Sequence, residues 1–519
     1  MNDQAIRKIV VVGGGTAGWM TAAALARVLK GRAHRPSERP FASSHEILVV
    51  ESPEIGTIGV GEATLPPIRF YNQTLGLDGV DFIKKTQATF KLGIEFRDWG
   101  RLGHRFFHGF GDFGPPIENR SSFLYWLRLA RAGGEMPSYE EWSTATVMAR
   151  QNRFVPPSGD QPGAANAYGY AFHFDAGLYA AYLRDYATQR GAARIEGTIV
   201  DVELRPEDGF VAAVKLRDGR RIDGDLFVDC SGFRALLIEG VMRSAYEDWS
   251  AWLPCNSARA VPCARIEPLT PYTTSTARAA GWQWRIPLQH RTGNGHVYCD
   301  AFTTDEEATR VLLEGLDGPP LDAPRQLRFT TGLRRESWVK NVVAVGLSSG
   351  FLEPLESTSI QLIMDAVARL IELFPDRDCQ RGLAAEFNRR SARQYESIRD
   401  FIILHYKLTQ RTDSEFWRYC ASMPIPDTLA HQIEVYRESG RVVILDKDSF
   451  AEPSWISIMH GQGLEPRAND PFAGLVDEQA LRTHFTRLRQ AIAGTVAGMP
   501  DHAAFIERYA KAEPLPFAA

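Results

Sequence analysis

A glycine-rich turn is the first stretch of the chain whose residue types and spacing imply chemistry. An apolar run at residues 9–12 is followed at once by Gly13-Gly14-Gly15-Thr16-Ala17-Gly18 and then by apolar residues on one helical face. In this Gly-x-Gly-x-x-Gly pattern Gly13 permits a tight turn, Gly15 lets backbone N–H groups approach a pyrophosphate, and Gly18 lets helix and strand pack closely. The pattern predicts a bound dinucleotide.

An acidic residue follows the second apolar run. Residues 47–50 are Ile-Leu-Val-Val, and Glu51 comes next, where its carboxylate is placed to accept hydrogen bonds from a ribose hydroxyl. Such an acid usually comes about 20 residues after the glycines. Here it comes later, because residues 31–44 form a polar, Pro-containing insertion. A glycine pattern alone is weak evidence, whereas strand, glycines, helix, strand and acid in this order are specific.

A second Gly-x-Gly-x-x-Gly at residues 109–114 has a different context. It does not follow a β-branched run, and Pro115-Pro116 blocks a helix from starting there. We interpret it as an aromatic-rich loop. With one nucleotide fingerprint left, the sequence offers no place for a bound NAD(P)H.

The elements that must position these residues alternate between buried strands and helices. Two later apolar strands, at residues 226–229 and 341–345, each run into a small-residue turn, which is typical of flavoproteins with two dinucleotide-binding stretches. The predicted fold class is therefore α/β: an FAD-binding, two-dinucleotide-binding (Rossmann-like) fold with antiparallel additions and a helical C-terminal unit. Further strands are predicted at residues 91–96, 198–204, 210–216 and 221–228, and helices at 174–190, 362–374, 383–409, 428–438, 478–497 and 502–512.

Composition and charge exclude several classes of function. The 519-residue chain is too long for one ordinary core, and its net charge of −4 gives no basic footprint for nucleic acid. No stretch approaches the roughly 20 apolar residues of a membrane span. A buried strand begins within ten residues of the N-terminus, so we expect no signal peptide and a cytoplasmic protein. The six scattered cysteines predict neither a zinc site nor a disulfide framework.

Four short motifs carry a more specific resemblance. They are Gly281-Trp282-Gln283-Trp284-Arg285-Ile286-Pro287, Gly59-Val60-Gly61-Glu62-Ala63-Thr64, Ala88-Thr89-Phe90-Lys91 and Phe351-Leu352-Glu353-Pro354-Leu355-Glu356-Ser357-Thr358. Together they resemble the flavin-dependent halogenases of the tryptophan halogenase-like family, from the first strand to about residue 420. The resemblance implies an enzyme that uses FAD as FADH2, O2 and a halide ion, bromide or chloride, to halogenate an aromatic compound.

The resemblance assigns the reaction to Lys91 and Glu356. In the family the matching lysine receives hypohalous acid made at the flavin and delivers electrophilic halogen to an arene, either as a haloamine or through a hydrogen bond. The matching glutamate orients the hypohalous acid and accepts the proton lost on rearomatisation. From the residues alone, Lys91 is read as part of a solvated strand face, and Glu356 as a carboxylate that caps the next helix.

Further roles follow from the same resemblance. The backbone amides of Thr358 and Ser359 are expected to hold halide, and Ser359 departs from the family's usual glycine. Trp282 and Trp284 are expected to separate flavin from substrate, although either also suits an ordinary core position. His108 and Phe110 are expected to sandwich the arene by stacking, with Ser357 beside it. The residues expected to contact FAD are Gly13, Gly15, Thr16, Ala17, Gly18, Glu51, Gly61, Gly346, Leu347 and Ile360.

One family feature is missing. Tryptophan halogenases carry a Tyr- and Phe-rich segment that binds the amine and carboxylate of the amino acid, but this chain passes from Leu445-Asp446-Lys447 to Trp455 with almost nothing of it. We therefore expect an open site that takes indole or an indole derivative in preference to free tryptophan. We also expect a separate NAD(P)H-dependent flavin reductase as a transient partner, and a monomer or homodimer.

Two other functions stay open at this point. One is a flavin monooxygenase that hydroxylates an aromatic substrate, and the other is a non-catalytic FAD-binding protein. For the halogenase, residues 1–360 are predicted to form an FAD-binding domain with substrate-facing insertions. Residues 361–519 are predicted to form a helical C-terminal unit that packs over the substrate side.

Overall fold

The computed structural model describes residues 4–30, 45–54, 61–133, 136–157, 167–444 and 449–515. Three stretches interpreted from the sequence, at residues 31–44, 59–60 and 445–447, lie outside the described residues. Within the described ranges, no helix combines the length and the apolar character that crossing a membrane requires.

Strands and helices follow one another along the whole described chain. The strands are β1 (Lys8–Val12), β2 (Glu46–Glu51), β3 (Gly61–Ala63), β4 (Thr89–Lys91), β5 (Gly93–Arg97), β6 (Arg105–Gly109), β7 (Ala171–Asp175), β8 (Ala192–Glu196), β9 (Ile199–Leu204), β10 (Val211–Leu216), β11 (Arg221–Asp223), β12 (Leu226–Asp229), β13 (Tyr246–Asp248), β14 (Ser257–Cys263), β15 (Thr273–Arg278), β16 (Gly281–Pro287), β17 (Thr292–Tyr298), β18 (Arg325–Arg328), β19 (Gly332–Arg334), β20 (Trp338–Val339), β21 (Val342–Ala344) and β22 (Gly350–Phe351). The helices are α1 (Thr16–Leu29), α2 (Ile68–Leu75), α3 (Gly79–Lys85), α4 (Ser122–Arg131), α5 (Thr144–Arg150), α6 (Ala176–Gln189), α7 (Asp305–Glu314), α8 (Ser359–Glu372), α9 (Arg381–Lys407), α10 (Glu415–Ser422), α11 (Asp427–Ser439), α12 (Glu452–Gly461), α13 (Glu478–Ala497) and α14 (His502–Tyr509).

The chain forms two compact units, and each is assembled from three separate stretches. The first unit comprises Met1–Gln87, Phe174–Ser250 and Phe329–Glu396, and the second comprises Ala88–His173, Ala251–Arg328 and Ser397–Ala519. Helices do dominate after residue 359, as the sequence predicts, but they belong to both units. The predicted domains 1–360 and 361–519 stay a prediction.

A six-stranded sheet is the centre of the first unit. Its strand order is β20-β21-β12-β1-β2-β8, and all neighbours are parallel except β20 and β21. The Val-rich β1 is almost wholly buried, as a strand inside a parallel sheet covered by helices should be. Helix α1 packs between this sheet and helices α6 and α8. The predicted α/β fold with antiparallel additions is confirmed, since β9–β11 and β13-β19-β22 form two small antiparallel sheets.

The predicted strand at residues 221–228 is wrong in one respect, because it is two strands. Strand β11 pairs antiparallel with β10, whereas β12 pairs parallel with β1 and β21. Gly224 lies between them, where a side chain would collide with Val10 at 2.8 Å. The chain therefore changes sheets at this glycine.

A seven-stranded sheet dominates the second unit. Its order is β18-β14-β17-β16-β15-β5-β6, antiparallel except for the parallel neighbours β15 and β5. The predicted strand at residues 91–96 is divided between β4, which pairs with β7, and β5 in the large sheet. Leu92 lies between the two, and its N–H donates to the Pro271 carbonyl at 2.8 Å. This break separates Lys91 from the large sheet.

Candidate active site

The glycine turn of the first unit has the geometry of a phosphate-binding loop. Gly13 has φ +112°, and an added Cβ there would lie 2.3 Å from the carbonyl oxygen of Cys230. A Cβ on Gly18 would lie 1.8 Å from the Gly13 carbonyl oxygen, so a glycine at this position lets α1 lie close to the end of β1. A Cβ on Gly15, by contrast, would meet no described atom within 4 Å. The backbone is therefore open at the position predicted for pyrophosphate.

Two later loops of the first unit approach the glycine turn at the N-terminus of α1. The loop after β12 begins with Cys230, whose N–H donates to the Val12 carbonyl at 2.8 Å. The loop after β21 contains Gly346, at φ +78°, where an added Cβ would lie 2.9 Å from the Cβ of Ala17. Glycines hold these backbones close together at the carboxyl ends of parallel strands, where nucleotides bind in such folds. The cradle fits a dinucleotide such as FAD.

The carboxylate of Glu51 lies directly over this loop. Its Oε2 accepts a hydrogen bond from the indole Nε1 of Trp19 at 3.1 Å, and its Oε1 is paired with the guanidinium of Arg194. A Cβ on Gly14 would lie 1.7 Å from Oε2, so only glycine fits beneath the acid. Each carboxylate oxygen can accept a second hydrogen bond. The expected contact with ribose therefore stays a prediction that this geometry permits.

The turn before α8 brings together the remaining predicted residues of the first unit. Glu356 is fully buried at the end of the short 3-10 helix Pro354–Glu356. Ser357 follows with φ +61°, a conformation that costs about 1–3 kcal/mol for a residue other than glycine. Thr358 caps the 14-residue α8. Its hydroxyl is buried and has no hydrogen-bond partner among the described residues.

A halide ion suits this turn. The first N–H groups of a helix have no partner within the helix, and the helix dipole adds positive potential there. Thr358 and Ser359 supply such N–H groups, and the unpartnered Thr358 hydroxyl is a further donor. Ile360, in the first turn of α8, is 3% exposed.

Lys91 belongs to the second unit and is completely buried. It is the last residue of β4 and pairs with Ala171 of β7. Its Nζ lies 5.1 Å from the centroid of the Phe110 ring, within the range of a cation–π contact. The alternative in which Lys91 lies on a solvated strand face is therefore wrong.

Hydrogen bonds to the end of β16 and to the segment after it hold the strand that carries Lys91. The Thr89 hydroxyl donates to the Pro287 carbonyl at 2.6 Å, and the Gln289 side chain donates to the Ala88 carbonyl at 2.7 Å. Pro287 ends the Trp-x-Trp-x-Ile-Pro motif. The motif thus fixes β4 as well as carrying the two tryptophans, a link that its sequence does not reveal.

The two motif tryptophans lie on one face of β16. Trp282 and Trp284 are 1% and 7% exposed, with their ring centroids 6.0 Å apart. Trp282 packs against Trp99, whose ring centroid is 6.3 Å away. The Trp284 indole covers Gly295 on the adjacent strand, where an added Cβ would lie 2.0 Å from the ring. Burial agrees with both predicted roles, a core position and a partition.

Aromatic side chains extend from Lys91 through the second unit. The His108 and Phe110 rings are 6.2 Å apart and nearly perpendicular, at 83°. An arene that stacks on one of them therefore meets the edge of the other, so the predicted sandwich by two stacked rings is wrong for this arrangement. The role of both residues in contacting substrate stays a prediction.

Three aromatic residues of this region were not predicted from the sequence. Phe401 and Phe450 lie 6.0 and 6.3 Å from His108, and their rings stack at 3.9 Å. Trp455 lies 5.0 Å from Phe401. They come from α9, α12 and the segment before α12, and no local spacing connects them. Their one signal in the sequence is that Phe450 and Trp455 directly follow the position of the missing family segment.

The predicted residues thus divide between the units. Lys91, His108, Phe110, Trp282 and Trp284 lie in the second unit. The first unit holds Glu356, Ser357, Thr358, Ser359 and all residues expected to contact FAD.

The family model described as tryptophan halogenase matches residues 8–478. The chain belongs to the tryptophan halogenase family. It is a flavin-dependent halogenase, and enzymes of this kind use FADH2, O2 and a halide. Membership favours halogenation over the two alternatives, a flavin monooxygenase and a non-catalytic FAD-binding protein.

Similar proteins support the same assignment along almost the whole halogenase chain. Tryptophan 6-halogenase ThaL of Streptomyces albogriseolus is 36% identical over 500 residues, 90% of this chain and 91% of its own. The structure of Xcc4156, a flavin-dependent halogenase from Xanthomonas campestris, has a TM-score of 0.93 and 43% identity, covering 99% of this chain and 100% of that one. BrvH, a flavin-dependent halogenase from Brevundimonas sp. BAL3, has a TM-score of 0.91 and 45% identity, covering 97% of this chain and 99% of that one.

Proposed function

We propose that this halogenase transfers electrophilic bromine or chlorine through Lys91 to an electron-rich arene, namely indole or an indole derivative. The observation that carries the proposal is the complete burial of the Lys91 ammonium beside the Phe110 ring. A charged side chain is costly to bury, so a fully buried lysine beside an aromatic ring indicates a functional position.

The cofactor is proposed to bind in the first unit. FAD, when bound, supplies oxidised halogen from reduced flavin, O2 and halide. The glycine turn and the helix N-terminus would hold its phosphates. Glu51 would accept a hydrogen bond from its ribose, and the loop containing Gly346 and Leu347 would approach from the other strand end. Gly61, Thr16, Ala17 and Ile360 complete the proposed contacts.

Lys91 and Glu356 are proposed to share the chemistry. The ammonium of Lys91 donates a hydrogen bond to the oxygen of hypohalous acid and polarises the oxygen–halogen bond, or its amine form takes the halogen before passing it on. By either route the oxygen–halogen bond breaks and its oxygen leaves as water. The arene carbon gains the halogen and loses a proton, which the Glu356 carboxylate accepts. The halide is proposed to bind at the amides of Thr358 and Ser359.

The arene is proposed to lie among the aromatic side chains of the second unit, with Trp282 and Trp284 keeping it away from the flavin. His108, Phe110 and Ser357 are the proposed substrate contacts. ThaL and several other relatives are tryptophan halogenases by name. This chain has almost nothing of the family segment that binds the amino-acid group, so we propose that indole is the better substrate.

Steady-state kinetics with indole and L-tryptophan test the substrate. The kcat/KM for indole is expected to exceed that for L-tryptophan, because the amine and carboxylate lack a binding segment. A higher kcat/KM for L-tryptophan would contradict the proposal.

The reaction is tested by supplying the protein with reduced FAD, O2, bromide and indole and recording a mass spectrum. A bromine isotope pair on indole is expected. A gain of one oxygen atom instead would indicate hydroxylation, and unchanged indole would leave the proposal without support. A parallel reaction with chloride compares the two halides.

A further inference from the structure

Strand β4 is too short to hold Lys91 by itself. It has three residues, and within the second unit it pairs with one neighbour, β7. Further constraints on this strand come from side chains, two of which are buried histidines from distant parts of the chain: His173 on β7 and His502 at the start of α14.

His502 bonds directly to the backbone beside Lys91. Its Nε2 lies 3.2 Å from the backbone nitrogen of Phe90, and its Nδ1 lies 3.0 Å from the Leu269 carbonyl oxygen. Because the Phe90 N–H can only donate, Nε2 must be the acceptor and Nδ1 must carry the proton. Both ring nitrogens are thus used by one neutral tautomer. Burial lowers the pKa of His502 to about 4, so this form persists at neutral pH.

His173 completes a second set of bonds. The Thr89 hydroxyl uses its one proton on the Pro287 carbonyl, so its oxygen accepts from Nδ1 of His173 at 3.0 Å. Nε2 of His173 then accepts from the Thr273 hydroxyl at 2.9 Å. Burial, and next the charge of Lys91, lower the pKa of His173 well below its usual value. Neutral imidazoles therefore fix both residues before Lys91: His173 bonds to the Thr89 hydroxyl, and His502 bonds to the Phe90 N–H.

The ring of Phe90 is held by the same C-terminal helix. Phe505 of α14 lies 5.6 Å from Phe90, and Phe154 stacks on it at 3.9 Å. Helix α14 thus fixes both the backbone and the side chain of the residue before Lys91, although it lies 412 residues away in sequence.

We propose that His502 and His173 are positioning residues for halogen transfer, holding the backbone of β4 so that the Lys91 amine meets both the oxidised halogen and the arene. This inference rests on the function proposed for Lys91. Neither imidazole is proposed to touch substrate. A small displacement of a reacting group can cost about 100-fold in rate, so loss of these bonds lets oxidised halogen escape before it reaches the arene.

Two substitutions of His502 separate its two hydrogen bonds. In His502→Gln the side-chain oxygen reaches the position of Nε2 and can still accept from Phe90. In His502→Asn the amide reaches the position of Nδ1 and keeps only the bond to Leu269. The measured quantity is halogenated indole formed per reduced flavin consumed, together with the rate of flavin oxidation, kcat and KM.

The expected result is a fall of about 10-fold or more in product per flavin for His502→Asn, with flavin oxidation unchanged. His502→Gln is expected to stay within about 3-fold of the parent. The same product per flavin (the coupling) in His502→Asn as in the parent would overturn the inference. An equal loss of coupling in His502→Asn and His502→Gln would also overturn it.

A second pair keeps the test independent of the folding of the His502 variants. Thr89→Val removes the hydroxyl that links His173 to Pro287 at nearly constant volume, whereas Thr89→Ser keeps it. Coupling is expected to fall in the first and to persist in the second; equal coupling in the two would overturn the role of His173. Lys91→Met, assayed in parallel, separates the two ways in which the test can fail. If this variant forms as much halogenated indole as the parent, the proposed function is wrong. If it loses product while all four His502 and Thr89 variants keep the parent's product per flavin, only the positioning inference is wrong.

Discussion

Lys91 is a charged side chain in a fully buried position. A fully buried ammonium loses its hydration, and the face of one aromatic ring returns about 0.5–2 kcal/mol. Residues that keep such a conflict are concentrated at functional sites. The motif Ala88-Thr89-Phe90-Lys91 pointed to this lysine, but periodicity alone gave it a solvated face.

Glu356 offers the sharpest residue-scale test of proton transfer. Glu356→Gln keeps the size and burial of the side chain but removes its capacity to accept the arene proton. We expect kcat to fall about 100-fold or more, the usual contribution of a general base, with little change in KM for indole. Glu353→Gln, at an equally buried carboxylate three residues earlier, is the matched comparison and is expected to lose less. Equal losses in both variants would contradict the assignment.

Gly295 lies beneath the ring of Trp284, one of the two tryptophans proposed to separate flavin from arene. In Gly295→Ala the added methyl group overlaps the Trp284 ring, so the indole must rotate away. We expect halogenated product per flavin oxidised to fall by about 10-fold as the separation of flavin and arene is disturbed. Gly494→Ala in α13, where a Cβ meets no described atom within 4 Å, is the control. Unchanged coupling in Gly295→Ala would argue against a partition by Trp284.

At the scale of elements, the sequence predicts best those strands and helices whose own apolar spacing accounts for their burial. Residues 9–12 and 47–50 read directly as β1 and β2, and the predicted helix at residues 478–497 coincides with α13. Its buried Leu481, Phe485, Leu488 and Ile492 follow helical spacing. The sequence pattern predicts β4 and β5 as one strand. The hydrogen bond from Leu92 to Pro271 that separates them joins residues far apart in sequence, so no local pattern reveals it.

The contact of α14 with β4 gives stability a predictable pH dependence. The pKa of His502 is about 4 in the folded protein, below its usual value of about 6.5, because the imidazole is buried. As the pH falls from about 6.5 toward about 4, the imidazole is protonated in the unfolded chain before it is protonated in the folded protein. This group therefore lowers the free energy of unfolding by about 2 kcal/mol between neutral pH and pH 5. Below about pH 4 it contributes no further loss.

Thermal unfolding measures this linkage. The melting temperature of the parent is expected to fall more between pH 7.5 and pH 5 than that of His502→Gln, which cannot titrate there. His296, whose pKa is also lowered by burial, remains in both proteins and cancels in the comparison. An identical fall in the two proteins would contradict the assignment of a buried neutral His502.

At the scale of the molecule, the residues proposed to bind FAD and the aromatic residues proposed to contact the arene belong to different units. Three strands of the parallel sheet in the first unit end in glycine-containing loops, where the sequence predicts the dinucleotide. The second unit, with its seven-stranded sheet and aromatic lining, was not predicted as a unit. Its three stretches are separated in sequence, and residues such as Phe401 and Trp455 meet only after folding.

A single nucleotide fingerprint leads to a prediction about the source of electrons. Purified protein supplied with NADH, FAD, O2, bromide and indole is expected to give no bromoindole until a flavin reductase is added. Chemically reduced FAD is expected to replace the reductase. Bromination with NADH alone would show that the protein reduces flavin itself.

The most direct test of the account is Lys91→Met, which removes the amine and places an apolar side chain of similar length in the buried site. Supplied with reduced FAD, O2, bromide and indole, this variant is expected to oxidise flavin at the parent rate and to form bromoindole at least about 100-fold more slowly. Bromoindole formed at the parent rate would contradict the central claim that Lys91 carries oxidised halogen to the arene.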